Sequence, residues 1–381
     1  MSENSIYARK EFIIDMIEKL RIKKIEEISS NLSVNPTFIV TRYTENGETT
    51  DCGKGLTIKD ALYSGIFESI ERYSAENYNN IKCEGSTFDV KKEHNVCAPS
   101  DIYPQKSQSD ELYLSWCEGV NLLSNEKILI PMECVKFPTK GYFSSVNTVG
   151  LASGASKENA IIHAIYELVE HDTLSIYSYS GLKGRRIKLT DKDGELFNIY
   201  SSLIEKGISV DIRLLDNDLK IPMVLVLYND IPLMKNIKIA GMGSNLDIRI
   251  AVKRALLECQ QSADYWYARY KLNDMRENVI IHPSLKLYEK YSITDKNVRL
   301  VDIEIIEIQN KTEELNLLLN KLRNVTNKVI VIDITNNSLN VPCVKVIIPE
   351  FENELEHNYI KGRCKLFEKA INEYTQGKEL K

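Results

Sequence analysis

Residues 53–78 read GKGLTIKDALYSGIFESIERYSAENY, and the same design returns at 152–179 as ASGASKENAIIHAIYELVEHDTLSIYSY and at 243–270 as GSNLDIRIAVKRALLECQQSADYWYARY. Aligned on Glu68, Glu167 and Glu258, each segment has an alanine seven residues earlier (Ala61, Ala160, Ala251) and a small residue three earlier (Gly65, Ala164, Ala255). Thirteen residues before the glutamate stands Gly55, Gly154 or Asn245, all types that tolerate a left-handed backbone. Each segment therefore reads as a tight turn entering a helix that ends in an aromatic-rich tail.

With 3.6 residues per turn, the offsets −7, −4, 0 and +3 share one helix face. That face carries Ala61, Ser64, Glu68 and Glu71 in the first helix, Ala160, His163, Glu167 and Glu170 in the second, and Ala251, Arg254, Glu258 and Gln261 in the third. The flanks are apolar (Ile66, Phe67 and Ile70; Ile161, Ile165 and Leu168; Val252 and Leu256), so the helices are expected to be largely buried. Buried carboxylates are costly unless paired or bound to cations. Glutamates on three equivalent helices, with an arginine among them, can converge on hard cations, and magnesium suits oxygen ligands that it shares with substrate phosphates. The competing reading, three ordinary solvated Glu-x-x-Glu pairs, is weakened by the threefold recurrence. Gly53-Lys54-Gly55 lacks the spacing of a P-loop. It reads either as a helix-entry turn that receives an anion or as a capping turn with a surface lysine.

Outward from these segments, apolar residues at helical spacing predict a surface helix from Lys10 to Ile28, and Thr37–Thr44 reads as a strand turning at Asn46-Gly47. His94–Ser109 reads as a loop followed by strands at 112–117 and 127–131. Strands are expected at Ile208–Leu214 and Pro222–Tyr228, the second internal because it is almost wholly apolar. A helix at Thr312–Val325, strands at Lys328–Asp333 and Val341–Pro349, and a final amphipathic helix at Lys361–Tyr374 complete a mixed α/β (α+β) pattern.

The 381 residues suffice for two or three domains or one large one, and 43% hydrophobic content supports a sizeable core. Lysine and arginine number 49 against 54 acidic residues, a net charge of −5, which leaves no cationic field for nucleic acid or a membrane surface. The N-terminus develops no secretory apolar run, and no stretch approaches the roughly 18 apolar residues of a membrane span. The expectation is a soluble, cytoplasmic protein. Eight cysteines without a C-x-x-C pair read as reduced thiols, and five histidines include no H-E-x-x-H.

The three blocks resemble the YcaO-domain family. A glycine-lysine-glycine turn leads to Ser64, Glu68, Glu71 and Arg72 in an S-x-x-x-E-x-x-E-R pattern; Gly150-Leu151-Ala152-Ser153-Gly154 leads to Glu167 through Asp172; and Arg254-Ala255-Leu256-Leu257-Glu258 is trailed by Gln261. The resemblance spans about residues 35–350 as one YcaO-like catalytic domain, with an N-terminal helical segment at 1–34 and a C-terminal helix and tail at 351–381. It implies that Ser64, Glu68, Glu71, Glu167, Glu170, Arg254 and Glu258 line a site for ATP and Mg2+, with Glu68, Glu71, Glu167 and Glu170 as metal ligands. The implied chemistry is ATP-dependent activation of a peptide backbone amide for a nucleophile, giving an azoline, a thioamide or an amidine; no catalytic residue is singled out. Ala155, Asn159 and His171 stand where the family usually has asparagine, glutamate and arginine. They motivate a second reading, a catalytically weakened scaffold or binding subunit, and a third is a nucleotide-dependent ligase of small molecules. The Gly-Lys-Glu-Leu-Lys ending lacks the proline-rich tail of many azoline-forming members, which favours the other products. A peptide or protein substrate, delivered with the help of a partner that brings substrate or sulfur, is implied, and a homodimer is compatible with the family.

Overall fold

The computed structural model describes residues 10–139, 147–180, 182–232, 234, 238–271, 296–303 and 305–351; the helix expected at 361–374 lies outside them. The chain divides into two compact units, one built from residues up to Ile22, Phe67–His171 and the stretch from Ile308, the other from Lys23–Ile66 and Asp172–Glu307.

Helix α1 (Lys10–Lys19) ends before the expected Ile28. Arg21 adopts a left-handed φ of 55°, and Ile22–Glu27 becomes strand β1. Ile22, Ile25 and Ile28 fit a helix face by spacing, but so short a run does not distinguish the two periods. In the second unit β1 lies beside β2 (Thr37–Thr44), which forms a hairpin with β3 (Gly47–Lys54) about Gly47, at φ 115°. Arg42 and Asp51 sit on this hairpin, both fully buried, with Arg42 Nε donating to Asp51 Oδ2 at 3.1 Å.

The three long helices are α2 (Ile58–Glu76), α5 (Lys157–Ser180) and α7 (Ile248–Lys271). Between the first two come β4 (Cys83–Gly85), short helices α3 (Thr87–Val90) and α4 (Pro99–Ile102), β5 (Leu114–Asn121), β6 (Glu126–Pro131) and β7 (Leu151–Ser153). The stretch expected to be a plain loop at 94–109 thus holds α4 and most of a 3-10 helix at Pro104–Glu111, since prolines at first helical positions start such turns. Next follow β8 (Arg185–Ile187), α6 (Glu195–Glu205), β9 (Ser209–Leu215), β10 (Met223–Asp230) and β11 (Ile239–Ser244), and after α7 come β12 (Asn297–Val298), α8 (Lys311–Leu322), β13 (Ile330–Asp333) and β14 (Cys343–Ile347).

In the second unit the sheet runs β11-β10-β9-β8-β12. Strand β10 is internal as expected: Val224, Val226 and Tyr228 face a core with Leu203 of α6 and Leu256 of α7, while Met223, Leu225 and Leu227 meet Leu174 and Tyr177 of α5. The first unit's sheet runs β4-β5-β13-β14-β7 with β6 against β5, around a core in which fully buried Trp116 donates Nε1–H to the Gly85 carbonyl at 3.0 Å. No helix among the described residues is long and apolar enough to cross a membrane.

Each repeat is a strand, a turn and a helix: β3 leads to α2, β7 to α5 and β11 to α7. The turns carry Thr57, Ser156 and Asp247, whose side-chain oxygens accept backbone N–H groups of the first turn (Asp60, Asn159 and Arg249, at 3.1, 3.2 and 2.9 Å). This satisfies donors that a helix start otherwise leaves open. Ala61, Ala160 and Ala251 then donate to the carbonyls of those same residues. The turn residues are not left-handed: Gly55, Gly154 and Asn245 are absent from the positive-φ positions. Glycine is needed for space instead. A Cβ on Gly55 would stand 2.4 Å from Ala61 N, and one on Gly154 2.8 Å from Ala160 N. The tightest approach lies one strand step earlier, where a Cβ on Gly53 would meet Ala61 O at 2.0 Å and one on Gly243 would meet Ala251 O at 2.2 Å. Helix backbone thus packs directly on strand backbone. Gly243→Ala is expected to cost about 3 kcal/mol by urea unfolding, because backbone atoms cannot yield to the added methyl. Gly194→Ala, with nothing within 4 Å and only a positive φ to strain, should cost about 1 kcal/mol. Equal losses would refute the close-approach account.

Asp264 of α7 is 1% exposed and accepts from Ser33 Oγ, from Thr37 Oγ1 at 2.7 Å and from Gln260 Nε2 at 3.2 Å. Burial raises its carboxyl from 3.8 to about 6 despite these bonds. A raised acid prefers its protonated form in the fold, so stability falls as pH rises from about 4 to about 6, by up to about 3 kcal/mol from this group. Asp264→Asn should flatten that segment of the stability–pH curve. Parallel wild-type and variant curves would show that the carboxyl titrates normally.

Candidate active site

In the first unit the second-repeat strand and the first-repeat helix share a carboxylate. Glu71 Oε1 accepts from Ser153 N at 2.8 Å and Ser153 Oγ at 2.9 Å. Burial nevertheless pushes the Glu71 carboxyl up to about 8, Ser153 pulls against it, and the charges of Glu68 and Glu167 push further in the same direction as burial. Glu68 is paired one helical turn on with Arg72, at 2.9 Å. Glu167 Oε2 accepts the Gly150 N–H at 3.1 Å. Gly150 holds a φ of 80°, and a Cβ there would stand 2.4 Å from the Val346 carbonyl, so only glycine presents this N–H. Glu170 is buried at 3% exposure on the next turn of α5.

Among the described residues of this unit, Lys345, in the middle of β14, is a buried cation. It is 5% exposed, and its Nζ donates to the carbonyls of Asn147 at 3.0 Å and Val149 at 2.8 Å. Burial lowers its ammonium to about 8, and Glu167 opposes that shift. The lysine thereby fastens the chain just before the glycine that serves Glu167.

In the second unit Glu258 of α7 accepts from Lys54 Nζ at 2.7 Å and from the Met242 N–H at 3.2 Å. Burial works against its charge, but Lys54, Met242 and Arg254 outweigh it and hold the carboxyl below the ordinary range. Lys54 is therefore a half-buried ion-pair partner rather than a surface lysine. Ser64 and Arg254 are half-buried on α2 and α7.

The sequence-derived residues thus fall into two groups, with Glu68, Glu71 and Glu167 within electrostatic reach of one another in one unit and Arg254 and Glu258 together in the other. Two contributors escaped the sequence reading. Lys54 was signalled by its glycine-lysine-glycine turn; Lys345 had no signal, being one cation in an apolar strand. Among the described residues no group of three or more His, Cys, Asp or Glu is placed to hold a metal ion on its own. A magnesium ion usually takes one or two protein carboxylates and completes its shell with phosphates and water, so the four glutamates would be shared by more than one ion. The donor set fits that ion: half-buried oxygens, one of them driven toward protonation by burial and further by the charges of Glu68 and Glu167, gain from a divalent charge.

A family described as YcaO cyclodehydratase, ATP- and Mg2+-binding, matches residues 52–352. An uncharacterized protein of Methanothermobacter thermautotrophicus is 29% identical over 89% of this chain and 91% of its own length. The structure of YcaO from Methanopyrus kandleri bound with AMPPCP and Mg2+ shares the fold at a TM-score of 0.76, 24% identical, over 93% of this chain and 95% of that one. The Escherichia coli microcin synthetase McbBCD complex includes a chain with a TM-score of 0.65, 16% identical, covering 89% of this chain and 94% of its own. Since the match takes in all three strand-turn-helix repeats, the chain belongs to the YcaO family, whose cofactors are ATP and Mg2+.

Proposed function

We propose that this protein activates a backbone amide oxygen of a peptide, with ATP and Mg2+, for attack by a nucleophile that yields a thioamide, azoline or amidine. The observation that carries this reading is Glu71, held by two bonds from Ser153 within electrostatic reach of Glu68 and Glu167; burial and then those charges raise its carboxyl to about 8, a cost that a divalent cation would relieve. Bound ATP supplies the phosphoryl group, and Mg2+ neutralises its charge. Ser64, Glu68, Glu71, Glu167, Glu170, Arg254 and Glu258 are assigned to holding them, with Glu68, Glu71, Glu167 and Glu170 as the metal ligands. Lys54 keeps Glu258 ionised, and Arg254 offers a fixed positive charge where negative charge develops. A catalytic domain over 35–350, a cytoplasmic location, a homodimer and a partner protein that brings substrate or sulfur belong to the same proposal. The multicomponent E. coli relative supports the partner.

The test is incubation with ATP, Mg2+ and a candidate precursor peptide, followed by mass measurement. Loss of one water indicates cyclodehydration or amidine closure, and exchange of oxygen for sulfur in the presence of sulfide indicates a thioamide. If no magnesium-dependent ATP binding is found by calorimetry, the reading fails and a scaffold role, to which Ala155, Asn159 and His171 point, takes its place.

A further inference from the structure

Between α4, α5 and β14 the first unit encloses a half-open pocket of about 60 Å³. Its walls are mostly apolar, with Ile102, Leu168 and Phe351 among them, and its polar groups include Lys345, His171 and Tyr103. Lys345 shares its strand face with Cys343 and Ile347, both buried in the unit's core. Its two bonds go to neutral carbonyls, and among the described residues it makes no ion pair. An ammonium has three donors, so one remains; the charge of Glu167 acts on it from nearby, but that carboxylate accepts the Gly150 N–H, and among the described residues the third donor of the buried ammonium stays open toward the pocket. A pocket beside such a group is a place where a small anion can be held.

We propose that this pocket binds a small monocarboxylate, its charge on Lys345 and its short alkyl part against the apolar wall. At about 10–15 Å³ per water the space takes roughly four waters, or one ligand of about four to six non-hydrogen atoms. A monoanion fits better than phosphate. One ammonium and one imidazole cannot satisfy a dianion, and the charge of Glu167 nearby adds repulsion. His171, which stands where the family usually has arginine, is thereby assigned to this pocket. The ligand is either a free small acid or the C-terminal carboxylate of a peptide.

The probe is propionate, titrated into the full-length protein without nucleotide at ionic strength matched by sodium chloride. Thermal melting should rise by about 2 °C at tenfold excess over the dissociation constant. Propionamide, the same shape without charge, should produce no rise, and Lys345→Met should remove the response to propionate. If the variant does not fold, the propionate–propionamide contrast in wild type still decides. A dipeptide that acts with a free but not an amidated C-terminus identifies a peptide terminus as the ligand, and a response to propionate alone identifies a free acid. An equal response to both small probes, no response to any acid, or displacement of propionate by ATP with Mg2+ would each overturn the assignment. The last outcome alone would return the pocket to the nucleotide.

Discussion

Glu71→Gln should lower magnesium-dependent ATP turnover by ~10²-fold or more, as loss of one charged group that meets developing negative charge or its metal typically does, while raising stability in the metal-free protein. The glutamine keeps the oxygen that accepts both Ser153 bonds and removes a charge from beside Glu68 and Glu167. The sign follows from the raised carboxyl. Below about pH 4.5 the wild type holds the proton in both states and suffers no penalty. Between there and about pH 8 the folded state resists ionisation, so stability declines with rising pH. The full shift corresponds to roughly 5 kcal/mol, but Glu71 is half-buried and partly screened by solvent, so a gain of about 2 kcal/mol for the variant at pH 8 is expected. Urea unfolding with a chelator present, at pH 5 and pH 8, checks it. A variant less stable at both values would show that Glu71 is a structural anchor and not a charge waiting for a cation.

Arg42→Met should cost about 3–5 kcal/mol, the usual consequence of removing one partner from a fully buried pair. Both Arg42 and Asp51 are 0% exposed, so water cannot replace the lost cation. Asp51 also lies just ahead of the Gly53-Lys54-Gly55 turn, so the damage should reach the Lys54–Glu258 pair and weaken nucleotide binding. In the double variant Arg42→Met/Asp51→Asn a large part of the loss should return, since no unpaired charge remains. A loss under about 1 kcal/mol for the single variant would show that the buried pair does not hold the hairpin together.

The three helices were legible because their small residues and acids recur at fixed offsets, and backbone packing at Gly53 and Gly243 gives that recurrence its physical cause. The caps Thr57, Ser156 and Asp247 stand at equal offsets too, eleven residues before the aligned glutamates, and a search for repeated polar residues would have found them. Strand β1 was not legible, because isoleucines three apart satisfy a helix pattern and only pairing with β2 decides otherwise. Lys345 was illegible for a different reason. Its two acceptors lie 198 and 196 residues away, at Asn147 and Val149, and contacts of that span leave no local pattern. The charge states were equally hidden: Glu71 and Glu258 look alike in the sequence, yet burial among like charges raises one, and Lys54 holds the other down.

Main-chain N–H groups hold a carboxylate in each unit: those of Ser153 and Gly150 serve Glu71 and Glu167 in the first, and that of Met242 serves Glu258 in the second. A donor that belongs to the backbone is present whatever side chain its residue bears. Acids aligned in this way keep their positions while neighbouring side chains are exchanged, so long as the strand path and the close-approach glycines persist. Such a scaffold has the physical freedom to diverge to the 24% and 16% identity that separate this chain from two structures sharing its fold.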